Sequence, residues 1–257
     1  MQNKIRAYEG LQWRSGQVQT VLDALTIEHP LSIYINQEIF SLTMQTPGDE
    51  LMLACGMLFT EGVYRTPEIP TFRMVSENRF DHIDQIWFNI PTEQLNREVL
   101  TKRTMLSSSS CGICGTTELP IVEGHLDAHH EFTPERVWEA MQSMAQIQNA
   151  YLTSGGCHGA AAFDTNGNLL SMGEDIGRHN AVDKTIGSLL FSDQLTSARL
   201  LTVSGRVSYE IVYNCFAAGI PHLAAVSAPS SLAVDYCKEL GIRLYGFCRE
   251  NRMTRYA

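Results

Sequence analysis

The chain lacks any apolar run long enough to span a bilayer. Residues 1–20 include Lys4, Arg6, Glu9 and Arg14 and have no apolar stretch of the signal-peptide kind. The expectation is a cytoplasmic protein without membrane contact. A basic excess is also missing. Nineteen Lys and Arg stand against 28 Asp and Glu, for a net charge of −9, which argues against nucleic acid or an anionic membrane as partner. The seven cysteines are an odd number, so a closed disulfide framework is not expected and the thiols should be reduced. There is no internal repeat and no low-complexity linker. What is present is apolar material, 44% of 257 residues, enough for one large domain or a domain plus a lobe.

The first part reads as β-rich. Two extended runs, 31–36 and 38–46, flank Asn36-Gln37, a plausible hairpin turn. Pro47-Gly48 breaks the pattern, and Asp49 is placed to cap a helix through Leu51, Leu53, Leu58 and Phe59. Residues 82–90 read as another strand. Residues 101–115, TKRTMLSSSSCGICG, have no hydrophobic period and predict a flexible loop. Thr133-Pro134 opens a helix. Strands at 157–163 and 169–172 and a helix at 180–191 follow. The last third alternates: strand 200–203, helix 208–218, strand 222–226, helix 231–240, strand 243–247. That alternation predicts parallel βαβ units. The natural division lies between a β-rich region 1–125, ending in the cysteine loop, and an α/β region 126–257, unless the two form one continuous domain.

Cys111 and Cys114, spaced CxxC, are the candidate catalytic residues. Two thiols this close can share a disulfide, a metal or a sulfane sulfur. A structural zinc site needs about four ligands, and no second CxxC exists, although His125, His129 and His130 could complete one. No metal site is expected. A thioredoxin-type pair usually starts a helix, and the serines before this pair and Gly115-Thr116-Thr117 after it are poor helix-start material. A pair of loop thiols without a role is a further reading. A persulfide carrier needs a reachable thiolate, which Lys102 and Arg103 could favour. It also needs a second thiol that can release the sulfur or resolve a disulfide.

Four stretches extend the argument: SSSSCGICG, GGCHGAAAFD, EDIGRHNAVDKTIG, and the tail from SGRVSYEIVYNC to GFCRENR. Together, in this order, they resemble the FdhD family, the accessory sulfurtransferases for formate dehydrogenase. The resemblance covers residues from about 28 to 252. It implies a cytidine deaminase-like mixed sheet with helices on both faces, a homodimer, and sulfur transfer from a cysteine desulfurase. The acceptor would be the molybdenum (or tungsten) bis-guanine-dinucleotide cofactor, which then enters the formate dehydrogenase catalytic subunit. The resemblance also implies guanine nucleotide at the same site. The resemblance makes Cys111 the persulfide carrier with Cys114 beside it. It places cofactor contacts on Phe247, Cys248, Arg249, Glu250, Asn251 and Arg252.

The residues themselves fit in part. Arg249 and Arg252 end a strand expected to be parallel, where open α/β sheets bind ligands, and Arg forks match phosphates; a solvated C-terminal turn is the other reading. In EDIGRHNAVDK, the residues Asp175, Arg178, His179, Asn180, Asp183 and Lys184 crowd a helix start. Asn180 and Lys184 share one face, His179 and Asp183 another. Gly173 and Gly177 favour a ligand over a salt-bridged helix start, since they allow close backbone approach. Ser204-Gly205-Arg206 lies between a strand and a helix, as anion sites do. One feature departs from the deaminase pattern. Cys157-His158-Gly159-Ala160 has no Glu two residues after the His, and no PCxxC follows. A hydrolytic zinc centre is therefore not expected, and His158 either lines the transfer pocket or sits in the core. Trp13, Trp87 and Trp138 are expected to serve packing. Two rivals stay open: a thiol-disulfide oxidoreductase, and a chaperone that binds cofactor or apo-enzyme without moving sulfur.

Overall fold

The computed structural model describes residues 4–66, 68–78, 80–102, 124–128, 131–250 and 252–257. The chain opens with β1 (Ile5–Arg14) and β2 (Gln17–Thr26), a two-stranded antiparallel ribbon. Ser15 (φ 51°) and Gly16 (φ 80°) make its turn, both with positive φ, as a two-residue hairpin of this twist requires. The ribbon is largely exposed. Trp13 on it is 70% accessible, which corrects the expectation that all three tryptophans pack inside.

A four-stranded sheet follows, in the order β4-β3-β6-β5. It comprises β3 (His29–Ile35), β4 (Glu38–Gln45), β5 (Thr71–Val75) and β6 (Gln85–Asn89). Asn36 (φ 48°) and Gln37 (φ 76°) make the β3–β4 turn where the sequence placed it. Leu31, Ile33 and Ile35 alternate inward on β3 and meet Ile86 and Phe88 of β6. Helix α1 (Glu50–Thr60) covers that face with Leu51, Leu53, Ala54 and Leu58. Asp49 stands at the N-cap position, but its side chain makes no capping bond. It binds Lys4 Nζ at 2.9 Å instead, tying the ribbon to the helix start. A short helix, α2 (Arg97–Lys102), ends this part.

The larger sheet has the order β12-β11-β10-β9-β7-β8. Its strands are β7 (His158–Phe163), β8 (Leu169–Asp175), β9 (Leu200–Val203), β10 (His222–Ala225), β11 (Arg243–Arg249) and β12 (Arg252–Arg255). Strands β9, β10 and β11 are parallel, while β7, β8 and β12 pair antiparallel. The helices are α3 (Pro134–Ile147), α4 (Asn149–Ser154), α5 (Arg178–Phe191), α6 (Tyr209–Ala217) and α7 (Ser231–Leu240). Thr133 caps α3 by accepting from the Arg136 amide, and Pro134 is its first residue. No described helix is long and apolar enough to cross a membrane.

Period-two alternation assigns the faces. Ala160 and Ala162 of β7, with Leu201, Val203, Leu223 and Ala225, pack under α5, α6 and α7. Ala161 and Phe163, with Leu200, Ala224, Tyr245 and Cys248, pack under Val137, Ala140, Met141 and Met144 of α3. The sheet is thus buried on both faces, as its nearly continuous apolar strands require. The mixed α/β architecture, with helices on both faces and a β-rich N-terminal lobe, is the one expected.

The lobe joins the rest through α1 and α5. A Cβ on Gly56 would overlap the backbone of Asp183, and one on Gly187 the backbone of Met52. The two helices therefore touch backbone to backbone, an approach that only glycine at both crossing points permits.

Candidate functional site

Most of the candidate residues outside the CxxC loop gather at one end of the large sheet. The parallel strands β9, β10 and β11 end there. Antiparallel β7 begins there with His158, and β8 ends there with Asp175. Three loops leading into helices line this end: Ile176-Gly177 before α5, Ser204 to Ser208 before α6, and Val226 to Ser230 before α7. They are laced together sideways. The Ser204 amide donates to the Gly159 carbonyl (2.9 Å), Val207 to Ala228 (3.2 Å), Ser230 to Val207 (2.9 Å) and Phe247 to Ser227 (3.1 Å). Ligands of open α/β sheets bind in such a crevice, and three helix N-termini point backbone donors toward it.

Within this end the structure separates the candidates. Arg178, Ser204 and Arg206 cluster around His158. The Ser204 hydroxyl accepts from the Gly159 amide at 3.0 Å and lies 3.5 Å from His158 Nδ1. Burial drives the His158 pKa below its ordinary 6.5. The positive charges of Arg178 and Arg206 act in the same direction, and Asp175 opposes them. Arg206 is exposed, whereas Arg178 is half-buried with its Nε enclosed and without a hydrogen-bond partner.

The tail lies farther along. Strands β9 and β10 separate β11 from β7, a distance of about 14 Å at ~4.8 Å per strand. Phe247 (φ 54°) and Glu250 (φ 53°) both hold left-handed backbone, costly for a residue with a Cβ. The register shifts at this point between β11 and β12. The Phe247 amide's bond to Ser227 pins the bulge, and the Arg252 guanidinium sits 5.7 Å from the Phe247 ring centre. Arg249, Glu250 and Arg252 are exposed beside it.

Four of the expected positions turn into the protein. Cys248 does not face the crevice. It is 3% exposed, inside the cluster beneath α3, and burial pushes its thiol up to about 11. Across the bulge Phe247 is half-buried and Arg249 exposed, while Cys248 stays in the core. Asn180 is also turned inward: its amide donates to the Met44 carbonyl (2.8 Å) and to Asp175 Oδ1 (3.0 Å). His179 is buried, with Nε2 3.2 Å from Ser208 Oγ and 3.9 Å from Glu210 Oε2. Gly173 makes room for protein and not for a ligand, since a Cβ there would stand 2.8 Å from Lys184 Cβ and 2.6 Å from the Ala181 carbonyl.

The inward half of the motif is a structural tie. Lys184 Nζ bonds Asp175 Oδ2 at 2.8 Å, and both side chains are buried. The same ammonium donates to the Thr46 carbonyl (2.6 Å), Gln45 Oε1 (3.3 Å) and the Glu174 carbonyl (3.4 Å). Asp175 also accepts from the amides of Thr46 (2.9 Å) and Gly177 (2.8 Å). Asp183 accepts from Thr60 Oγ1 (2.9 Å) and Asn214 Nδ2 (3.0 Å). The shared faces read from spacing are real, but what they hold is the N-terminal lobe and α6.

Cys111, Cys114 and Asn251 lie outside the described residues, as do Arg103, His129 and His130. Five other cysteines are free and buried. Burial raises Cys55, Cys157 and Cys237 to about 12, and Cys215 is raised as well. A buried thiol of this kind is neither nucleophile nor ready ligand. Among the described residues, no group of three or more His, Cys, Asp or Glu is arranged to hold a metal.

Fold and site define a mixed α/β protein with a cationic crevice at the carboxyl ends of its parallel strands. The chain belongs to the FdhD/NarQ family, whose model matches residues 26–257. It is 38% identical to the sulfur carrier protein FdhD of Streptomyces coelicolor, over 95% of this chain and 90% of that one. It is 32% identical to the protein of that name from Saccharolobus solfataricus, over 98% and 96%. The fold matches a solved structure from Desulfotalea psychrophila, titled a formate dehydrogenase accessory protein. The TM-score is 0.74 at 21% identity, covering 99% of this chain and 97% of that one.

Proposed function

We propose that this protein is a sulfurtransferase that carries a persulfide on Cys111. The sulfur comes from a cysteine desulfurase and goes to the molybdenum bis-guanine-dinucleotide cofactor, here a substrate. The loaded cofactor then passes to the formate dehydrogenase catalytic subunit. The protein works in the cytoplasm as a homodimer, and a guanine nucleotide can occupy the cofactor's place. The observation that carries this reading is the state of the other thiols. All five described cysteines are buried, with pKa values raised by burial, and none can serve as an accessible sulfur carrier. That leaves Cys111 and Cys114, in the family of sulfur carrier proteins.

The crevice supplies what such a cofactor needs from protein: position, shelter and positive charge. Arg178 and Arg206 with Ser204 form one cationic group, and Phe247, Arg249 and Arg252 a second about 14 Å away at ordinary strand spacing. A ligand with two charged dinucleotide ends can engage both.

The test is intact-protein mass spectrometry after incubation with a cysteine desulfurase and L-cysteine. The expected result is one or more added sulfur atoms, removable by reductant and mapped to Cys111. A Cys111→Ala protein should fold normally and fail to support formate dehydrogenase maturation. Unchanged maturation, or a stable Cys111–Cys114 disulfide with no added sulfur, would overturn the reading.

A further inference from the structure

His158 occupies the first position of β7, two residues before Ala160, which pairs with Val203 at the end of β9. It therefore stands beside the turn into α6. Gly205 in that turn is held between two side chains: a Cβ there would lie 3.4 Å from His158 Nδ1 and 3.4 Å from Arg178 Cβ. The charged groups that face the imidazole are Arg178, Arg206 and Asp175. The carboxylate is already committed. Its Oδ2 binds Lys184 and the Thr46 amide, and its Oδ1 accepts from the Gly177 amide and Asn180. Arg178 keeps an enclosed Nε without a partner.

Two guanidiniums, one hydroxyl and one imidazole thus meet where the carboxylate that faces the imidazole is neutralised by a lysine. Charge of this sign, packed at the N-termini of α5 and α6, favours an anion. The guanidinium fork matches phosphate oxygens. The two arginines oppose a proton on His158. A phosphate reverses that field, because its negative charge then favours the imidazolium.

We propose that His158, Arg178 and Arg206 form a pocket for a phosphate group of an esterified diphosphate, and that His158 takes up a proton when the phosphate enters. This rests on the reading that the crevice receives a guanine-dinucleotide cofactor and adds which residues read its phosphates and how the binding depends on pH. Proton uptake makes the bound phosphate tighter in mildly acidic than in alkaline solution. It also gives the pocket a way to prefer charged diphosphate over neutral groups.

The probe is GDP-mannose, whose diphosphate is esterified at both ends and does not titrate near neutrality. Calorimetric titration of the full-length protein at about pH 7, in two buffers of different ionisation enthalpy, reads proton uptake directly. The expected result is fractional proton uptake on binding, with affinity rising as pH falls from about 8 to about 6. His158→Gln should bind with no proton uptake and a flat pH profile. Arg178→Ala should weaken binding by about 10-fold or more, as loss of a charge-assisted bond does. The His158 ring resonances of the wild-type protein should move to imidazolium positions on adding GDP-mannose, a readout that needs no variant to fold. Binding without proton uptake, or uptake that persists in His158→Gln, would refute the role of His158. No binding at all, with sulfur still loading on Cys111, would overturn the pocket and leave the sulfur-carrier reading standing. Failure to load sulfur, with proton-coupled binding intact, would do the reverse.

Discussion

The segment linking β8 to α5 supplies two polar clusters that face opposite ways. Inward, Asp175, Asn180 and Lys184 meet the backbone of Met44 and Thr46, and the Lys184 ammonium alone has four oxygen partners. Outward, a few residues away, Arg178 stands with His158 and Arg206 and keeps a buried nitrogen unmatched. Both are clusters of charged and polar side chains, and the difference is how far their hydrogen-bonding capacity is used up. Buried polar groups that satisfy one another fix architecture. Cations whose neighbouring carboxylate is already committed to other partners leave capacity for a ligand.

The comparison predicts unequal responses to mutation. Lys184→Met should cost the most, about 3–5 kcal/mol, because it strands the buried Asp175 carboxylate. Urea unfolding measures this, and a loss below about 1 kcal/mol would show that the inner cluster does not hold the lobe. Replacing Asp175 and Lys184 together with apolar residues should recover part of that loss, since no uncompensated charge remains. Gly56→Ala comes next, at about 1–3 kcal/mol, as its methyl meets the Asp183 backbone at the α1–α5 crossing. Arg206→Ala should leave stability within about 0.5 kcal/mol, because the side chain is exposed, while lowering affinity for GDP-mannose. Equal stability losses in Arg206→Ala and Lys184→Met would break the distinction between the clusters.

The smallest effect concerns pH. His82 and His158 both have pKa values held below the ordinary 6.5, chiefly by burial. For His82 the positive charges of His29 and Arg6 add to this, against Glu50 and Asp84. On acidification the unfolded chain gains protons near 6.5 while the folded chain resists them. Stability therefore falls as pH drops below about 6.5 and is retained above it. His82→Phe should make that decline shallower, since neither ring nitrogen of His82 has a partner to lose. A pH profile of melting temperature identical to wild type would remove His82 from the account.

Much of the fold was legible because local chemistry and final structure agree. Residues 200–203 and 231–240 are the expected strand and helix to the residue, and Thr133-Pro134 and Asn36-Gln37 act as the cap and turn their chemistry suggests. The N-terminal ribbon was missed. Its one clear signal is Ser15-Gly16, since its exposed strands carry no alternation toward a core. For the site, spacing showed which side chains share a helix face. It could not show that Asp175 turns toward Thr46 and Asn180 toward Met44, far earlier in the chain. His158 was left undecided for a similar reason. Its neighbours Arg178 and Arg206 reach it only because β7 pairs antiparallel beside β9.

The sequence by itself determined the order and type of most elements, the single CxxC pair, the acidic balance and the family, all of which depend on local pattern. Only the tertiary structure decided which polar residues are used up inside and which remain for a ligand. It also decided that Cys248 belongs to the core while the next residue, Arg249, is exposed. Pairing of buried charges and strand register are long-range facts: they follow from which segments meet across the sheet, and no local pattern of residues encodes that meeting.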